Sequence, residues 1–277
     1  WDARWKLDGT FTNPEKPRFD LRVEADHVDL DDVLKRIAEV TGADGKKKPE
    51  EKPAGGEHRN PLDGIDGLVA MRTPSFKYDK YHVKDLDGRV RIKDGVLHVE
   101  QLDGSIYDAN VQMGGCEYDP RDQPARFRLV AAVDKLDVEK ALTAHDVGHG
   151  RIRGTANLKT DMAMVLHDER EKLLGSLKGP ARVTSPRIMI MDANLLGEIF
   201  GEMRSFSPVP IPGNHPMLDR SQPALFDAVL LDANIQDGAV TFVRPASATT
   251  TWGNLGMGGE VWFDSRIDLV GTATLDP

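Results

Sequence analysis

The chain has 277 residues, 39% of them hydrophobic and only 6% aromatic, with a formal net charge of -9 and one cysteine, Cys116. That length can bury a core as one extended domain or two small ones, and an acidic balance with Lys and Arg interleaved among Asp and Glu argues against nucleic acid as a partner. A lone thiol excludes an internal disulfide and any cysteine-rich zinc site, and no run approaches the roughly 18 apolar residues that a membrane-spanning helix needs.

The segment Trp1-Asp2-Ala3-Arg4-Trp5 already reads as a strand, with no signal peptide before it. Trp1 is therefore expected to be a cut point, with any membrane anchor outside this sequence. Asp29 stands where an N-cap belongs, before a helix from about Leu30 to Val40 with Val33, Leu34 and Ile37 on its inner face and Thr41-Gly42 ending it. Residues 1–42 thus read as N-terminal strands and a helix. From 43 to 63 the composition collapses into Lys, Glu, Pro and Gly, the pattern of a flexible charged linker.

Residues 64–277 read as a β-rich domain, continuous in architecture with 1–42, because period-two alternation dominates. Leu86, Val90 and Ile92 oppose Arg89, Arg91 and Lys93, and Asp94-Gly95 then separates them from Leu97 and Val99. An Asp-Gly pair between alternating segments signals a hairpin. The pairs at Asp87-Gly88, Asp103-Gly104 and Asp237-Gly238 are further candidates, although a glycine inside a strand can instead mark a bulge.

Gly114-Gly115-Cys116 reads as a turn followed by a buried thiol, since a lipidation cysteine would have to follow a signal sequence. Phe127, Leu129, Ala131 and Val133 alternate with Arg126 and Arg128, and a short helix follows from about Val138 to Thr143. His145 and His149 have a spacing that would suit a metal on a helix, but Gly148 and Gly150 favour a loop and no third ligand is evident.

The clearest alternation sets Ile152, Gly154, Ala156, Leu158, Thr160, Met162 and Met164 against Arg151, Arg153, Thr155, Asn157, Lys159 and Asp161. Met162 and Met164, with Met189 and Met191, could line an irregular apolar path or simply fill a core. A third helix is expected near Asn194 to Met203, and an extended loop from Ser205 to Pro223, which holds five prolines. Phe242 follows Asp237-Gly238. Gly253-Asn-Leu-Gly-Met-Gly-Gly259 does not open a helix and reads as a bulged or tightly packed strand pair carrying Met257, continued by Val261 and Phe263. Leu269 belongs to the closing alternation of Ile267 to Leu275.

A weak internal repeat runs beneath this order. Arg18-Phe19-Asp20-Leu21, with Asp26, Asp29 and Leu34, aligns at a constant offset of 108 with Arg126-Phe127-Arg128-Leu129, with Asp134, Asp137 and Leu142. Each copy is a strand running into an acid-capped short helix.

The segment Ala25 to Leu34, in which a strand ends in Asp-x-hydrophobic-Asp and feeds a short helix, resembles the recurring unit of the AsmA-like envelope proteins. Leu86 to Tyr107 resembles that family's hairpin, and Gly150-Arg-Ile-Arg-Gly154, Leu177-Lys-Gly179 to Arg187 and Phe226 to Phe242 follow in the order of its C-terminal regions. The resemblance covers most of residues 18 to 277. It departs from the pattern at Tyr107-Asp108-Ala109, where Tyr-Gly-Gly is usual, and in the charged insert after Val40.

The resemblance implies a long antiparallel sheet curled into an open groove, an apolar interior that shields acyl chains, and a place in the periplasm with an inner-membrane anchor outside this chain. Phospholipid or another amphiphile is then the expected partner, moved between inner and outer membranes without catalysis or cofactor. The groove candidates are Ile92, Leu97, Val99, Phe127, Leu129, Val133, Leu158, Met162, Met164, Phe242, Met257, Val261, Phe263 and Leu269. The alternative is a scaffold or outer-membrane assembly factor whose apolar face is an ordinary closed core. No Ser-His-Asp order, phosphate loop or dinucleotide fingerprint points to an enzyme.

Overall fold

A computed structural model describes residues 4–13, 16–41, 60–147, 150–191, 223–250 and 253–275. Among the described residues the protein is mostly β, with a few short helices. Its sixteen strands belong to one hydrogen-bonded sheet. That sheet is mixed, which corrects the expectation of a purely antiparallel one. The chain forms two compact units, residues 1–106, 110–131 and 163–173 in the first and 107–109, 132–162 and 174–277 in the second.

In the first unit β1 (Trp5–Thr12) pairs antiparallel with β2 (Arg18–Ala25). The chain then passes through β3 (Val28–Asp29) and α1 (Leu30–Thr41) before β4 (Asp66–Tyr78), which lies parallel to both β2 and β3. A parallel neighbour requires a crossover of a dozen or more residues. The stretch from α1 to β4 supplies that length, which is why the sheet is mixed here. Antiparallel hairpins resume with β5 (Tyr81–Lys93) and β6 (Val96–Ile106), followed by β7 (Ala109–Met113), β8 (Cys116–Asp119) and β9 (Arg126–Asp137), with β8 seated between β6 and β9.

Turn chemistry fixes these pairings. Asp94 and Gly95 both take positive φ, 52° and 74°, between the paired residues Lys93 and Val96. That is the two-residue turn whose twist matches the strands. Asp237-Gly238 does the same in the second unit, whereas Asp87-Gly88 and Asp103-Gly104 lie inside β5 and β6. Asn60 secures the entry to β4: it is buried, and its side-chain amide donates to the Gly95 carbonyl and to Asp63 while its oxygen accepts from the Leu62 N–H. The expected linker 43–63 therefore ends in an ordered turn at 60–63, and its remainder lies outside the described residues.

The two capped helices form where expected. The Asp29 carboxylate accepts from the N–H groups of Asp31 and Asp32 at the start of α1, and Asp137 accepts from the Lys140 N–H at the start of α2 (Val138–Ala144). In α1 Val33 is half-buried, and the side chains of Leu34 and Ile37 lie outside the described residues. The two caps stand 108 residues apart, the offset of the sequence repeat. A short helix not read from the sequence, α3 (Arg170–Ser176), buries no side chain and so leaves no apolar face to recognise. The helix expected near Asn194 to Met203 and the loop from Ser205 lie outside the described residues, apart from Pro223.

The second unit is built on β10 (Ile152–Val165), β11 (Gly179–Ile190) and β12 (Ala224–Gln236), paired antiparallel in that order. β13 (Ala239–Phe242) and β14 (Ala246–Thr250) both pair with β12 and with β15 (Gly253–Trp262), and β16 (Ile267–Leu275) pairs with β15. At Gly259, φ is +125° and a Cβ would lie 2.1 Å from the Asp268 carbonyl oxygen. Only glycine allows β15 and β16 to approach this closely.

Interior packing is sparse. Of the nine apolar residues buried among the described residues, five are alanines, and Leu86 at 3% exposure is the largest of the set. Cys116 is fully buried, with its sulfur bonded to both the N–H and the carbonyl of Val130. This is the small-hydrophobe role expected of it.

Candidate functional site

Cross-strand partners share a face of a sheet, so the registers define which surfaces are apolar. In the first unit one row runs Phe11, Phe19, Gly67, Ile92, Leu97, Tyr118, Phe127, and the next runs Gly9, Leu21, Val69, Val90, Val99, Cys116. Ile92, Leu97, Val99 and Phe127 therefore lie on one face, and Leu129 follows Phe127 at the strand period. All five remain half-buried. At the β1 end the face is open, with Leu7 68% and Phe11 61% exposed.

The opposite face of this unit is a lattice of charges. Arg72 pairs with Asp87, Arg91 with Glu100, Lys6 with Glu24 and His98 with Glu117. A hydrogen bond from Lys77 holds the Asp29 carboxyl below its ordinary range and raises the Lys77 ammonium in return. Where β8 ends, the hydrogen-bonded Arg121 guanidinium holds the Asp119 carboxyl at about 2, against an ordinary 3.8.

The second unit contains a cavity of about 540 Å³, partly open to solvent. Its walls come from Ile188 and Ile190 of β11, Phe226 and Val229 to Leu231 of β12, Ala246 to Ala248 of β14, Leu255 to Met257 of β15, and Leu269 and Gly271 to Ala273 of β16. Among the described residues no lining side chain is ionisable, and Ser247 and Thr272 are the two that carry a polar oxygen. The volume and composition are those of sites that hold small apolar ligands, commonly 300–1,000 Å³.

One glycine keeps the space open. Met257 pairs with Gly271 and both line the cavity, so at this place the wall is backbone alone. A Cβ built on Gly271 would meet nothing nearer than the Gly256 carbonyl oxygen at 3.8 Å.

Of the sequence candidates, Met257 and Leu269 line this cavity. Leu158 stands opposite Val183, which pairs with Leu231, and Phe242 stands opposite Ala233, in rows beside the cavity. Val261 pairs with Val240 and Ile267. Phe263 lies beyond β15, 39% exposed, with its N–H bonded to the Gly238 carbonyl. Val133, Met162 and Met164 are half-buried strand residues that do not line the cavity. Met189 pairs with Arg153 and Leu225, whereas its neighbours Ile188 and Ile190 line the cavity.

Ile188, Ile190, Phe226 and Leu230 escaped the sequence reading for identifiable reasons. Ile188 to Met191 is an unbroken apolar run, so alternation cannot say which side chains face inward. In β12 the alternation breaks at Ala228, which has φ of 49°, and the pairing with β14 shifts register between Asp227 and Leu230. Both Leu230 and Leu231 then reach the cavity. His145 caps α2 and His149 lies outside the described residues. Among the described residues no group of three or more His, Cys, Asp and Glu side chains is placed to hold a metal, and no helix is long and apolar enough to cross a membrane.

Comparison of the chain with family models, with curated proteins and with solved structures finds no match.

Proposed function

We propose that this chain binds the acyl part of phospholipid or a related amphiphile on its apolar strand surfaces, with the second unit's cavity as the best-formed site. In this reading it is a segment of an AsmA-like periplasmic protein, anchored to the inner membrane by a part outside this sequence, and it supports lipid movement between inner and outer membranes without catalysing a reaction. One observation carries the reading: a hollow of about 540 Å³ whose described lining holds no ionisable group, in a protein whose larger apolar side chains stay half-exposed. Each methylene removed from water contributes about 0.8 kcal/mol. About six of them in the cavity would contribute roughly 5 kcal/mol before the cost of ordering the chain is subtracted.

The direct test is solvent extraction of the purified protein followed by lipid mass spectrometry, together with titration of the delipidated protein with a fluorescent long-chain fatty acid. Co-purifying lipid and saturable binding, weakened at least tenfold in Met257→Lys with unchanged circular dichroism, are the expected results. Met257 is 40% exposed, so the charge can be carried without unfolding. An empty extract and no saturable titration would leave the closed-core scaffold as the better reading.

A further inference from the structure

A second hollow lies in the first unit, and its chemistry is the reverse of the cavity's. It measures about 190 Å³, and Arg22, Arg72, Arg89, Glu24, Asp87 and Ala70 are among the residues that line it. Arg22 pairs with Ala70 and Ala70 with Arg89, so the three stand in one row on β2, β4 and β5. This row belongs to the charged face, opposite the one that carries Val69, Val90 and Val99. The small Ala70 side chain leaves the opening between two arginines set two strand spacings apart, roughly 10 Å between their Cα atoms.

The charges around it are not all committed. Glu24 is paired with Lys6, and Asp87 accepts both the Nε and the Nη2 donors of Arg72. Both carboxylates of the lining are thus occupied. Arg22 and Arg89 make no ion pair or side-chain hydrogen bond among the described residues. Asp8 stands opposite Arg22 on β1 without forming an ion pair with it. The lining residues therefore carry three guanidiniums and two ion-paired carboxylates, and two of the guanidiniums, on Arg22 and Arg89, are uncommitted among the described residues.

We infer that Arg22 and Arg89, astride Ala70, form a binding site for a phosphate-type oxyanion. Guanidinium groups donate two parallel N–H bonds to such an anion, and two of them reaching over Ala70 from the strands on either side of β4 would hold it from both sides. The anion can be a free phosphate or the phosphate of a lipid headgroup. The site lies on the opposite face to the first unit's apolar rows and does not depend on the proposed acyl binding.

The test is titration of the full chain at constant ionic strength with inorganic phosphate and with pyrophosphate, followed through the arginine Nε–H resonances, with chloride as the control. Saturable shifts of the Arg22 and Arg89 signals are expected. Arg22→Gln and Arg89→Gln should each weaken binding at least tenfold, and so should Ala70→Leu, which fills the opening while keeping every charge. Flotation with vesicles of phosphatidylglycerol or phosphatidylcholine separates the sources. Vesicle binding lost in the Arg22→Gln/Arg89→Gln double variant identifies a headgroup site, and soluble-anion binding alone identifies a free oxyanion. Shifts that do not saturate, or that are the same in wild type, Ala70→Leu and the arginine variants, would overturn the inference.

Discussion

Replacing Gly271 by Phe puts the cavity to a quantitative test. Gly271 lies in β16 opposite Met257, both residues line the hollow, and its φ is not in the left-handed region. The first carbon added would sit 3.8 Å from the nearest heavy atom, an ordinary contact. The ring would then enter a space of about 540 Å³ bounded by Phe226, Leu230 and Leu255. Burying a phenylalanine side chain contributes about 1.5–3 kcal/mol, and exchanging glycine for a β-favouring residue in a strand adds a few tenths more. Part of the ring will remain in contact with solvent, so a net stabilisation of about 1–2 kcal/mol is expected in urea denaturation. Affinity for a fluorescent fatty acid should fall at least tenfold in the same variant. A destabilised Gly271→Phe would mean the hollow is not free space. A variant that is more stable but binds the probe like wild type would mean that acyl chains go elsewhere.

Three other changes probe what holds the fold. Gly154→Ala should cost about 2–4 kcal/mol in thermal or urea unfolding, because φ is +133° and the new Cβ would lie 2.3 Å from the Arg187 carbonyl oxygen; a loss below 1 kcal/mol would refute the tight β10–β11 approach. Asn60→Ala should destabilise by about 2–3 kcal/mol, since it strips the hydrogen bonds that tie the β4 entry to the Gly95 turn. Arg121→Gln should let the Asp119 carboxyl rise from about 2 toward 3.8, as read by NMR titration. Because the folded-state value is the depressed one, this pair's contribution to stability is present above the ordinary carboxylate range and is lost as pH falls from about 4 through about 2. In Arg121→Gln that acid-dependent loss should shrink, the residue-121 N–H and Arg126 being what still lowers the Asp119 carboxyl.

Strand content, the Asp29 and Asp137 caps, the Asp94-Gly95 turn and the buried Cys116 are all local matters. Each depends on side-chain periodicity, a short polar cap or a left-handed pair, and each was readable from adjacent residues. The mixed sheet was not, because nothing in β2 or β4 records that their partner runs parallel; that follows from the crossover between them. The apolar row from Phe19 to Phe127 was legible strand by strand as alternation, but its continuity across strands is a property of register. The cavity was the least legible feature. It exists because Gly271 presents bare backbone opposite Met257 and because the irregularity at Ala228 lets consecutive leucines face one hollow. Sequence alone determined which side chains prefer to leave water; only the tertiary pairing decided which of them face one another with space left between.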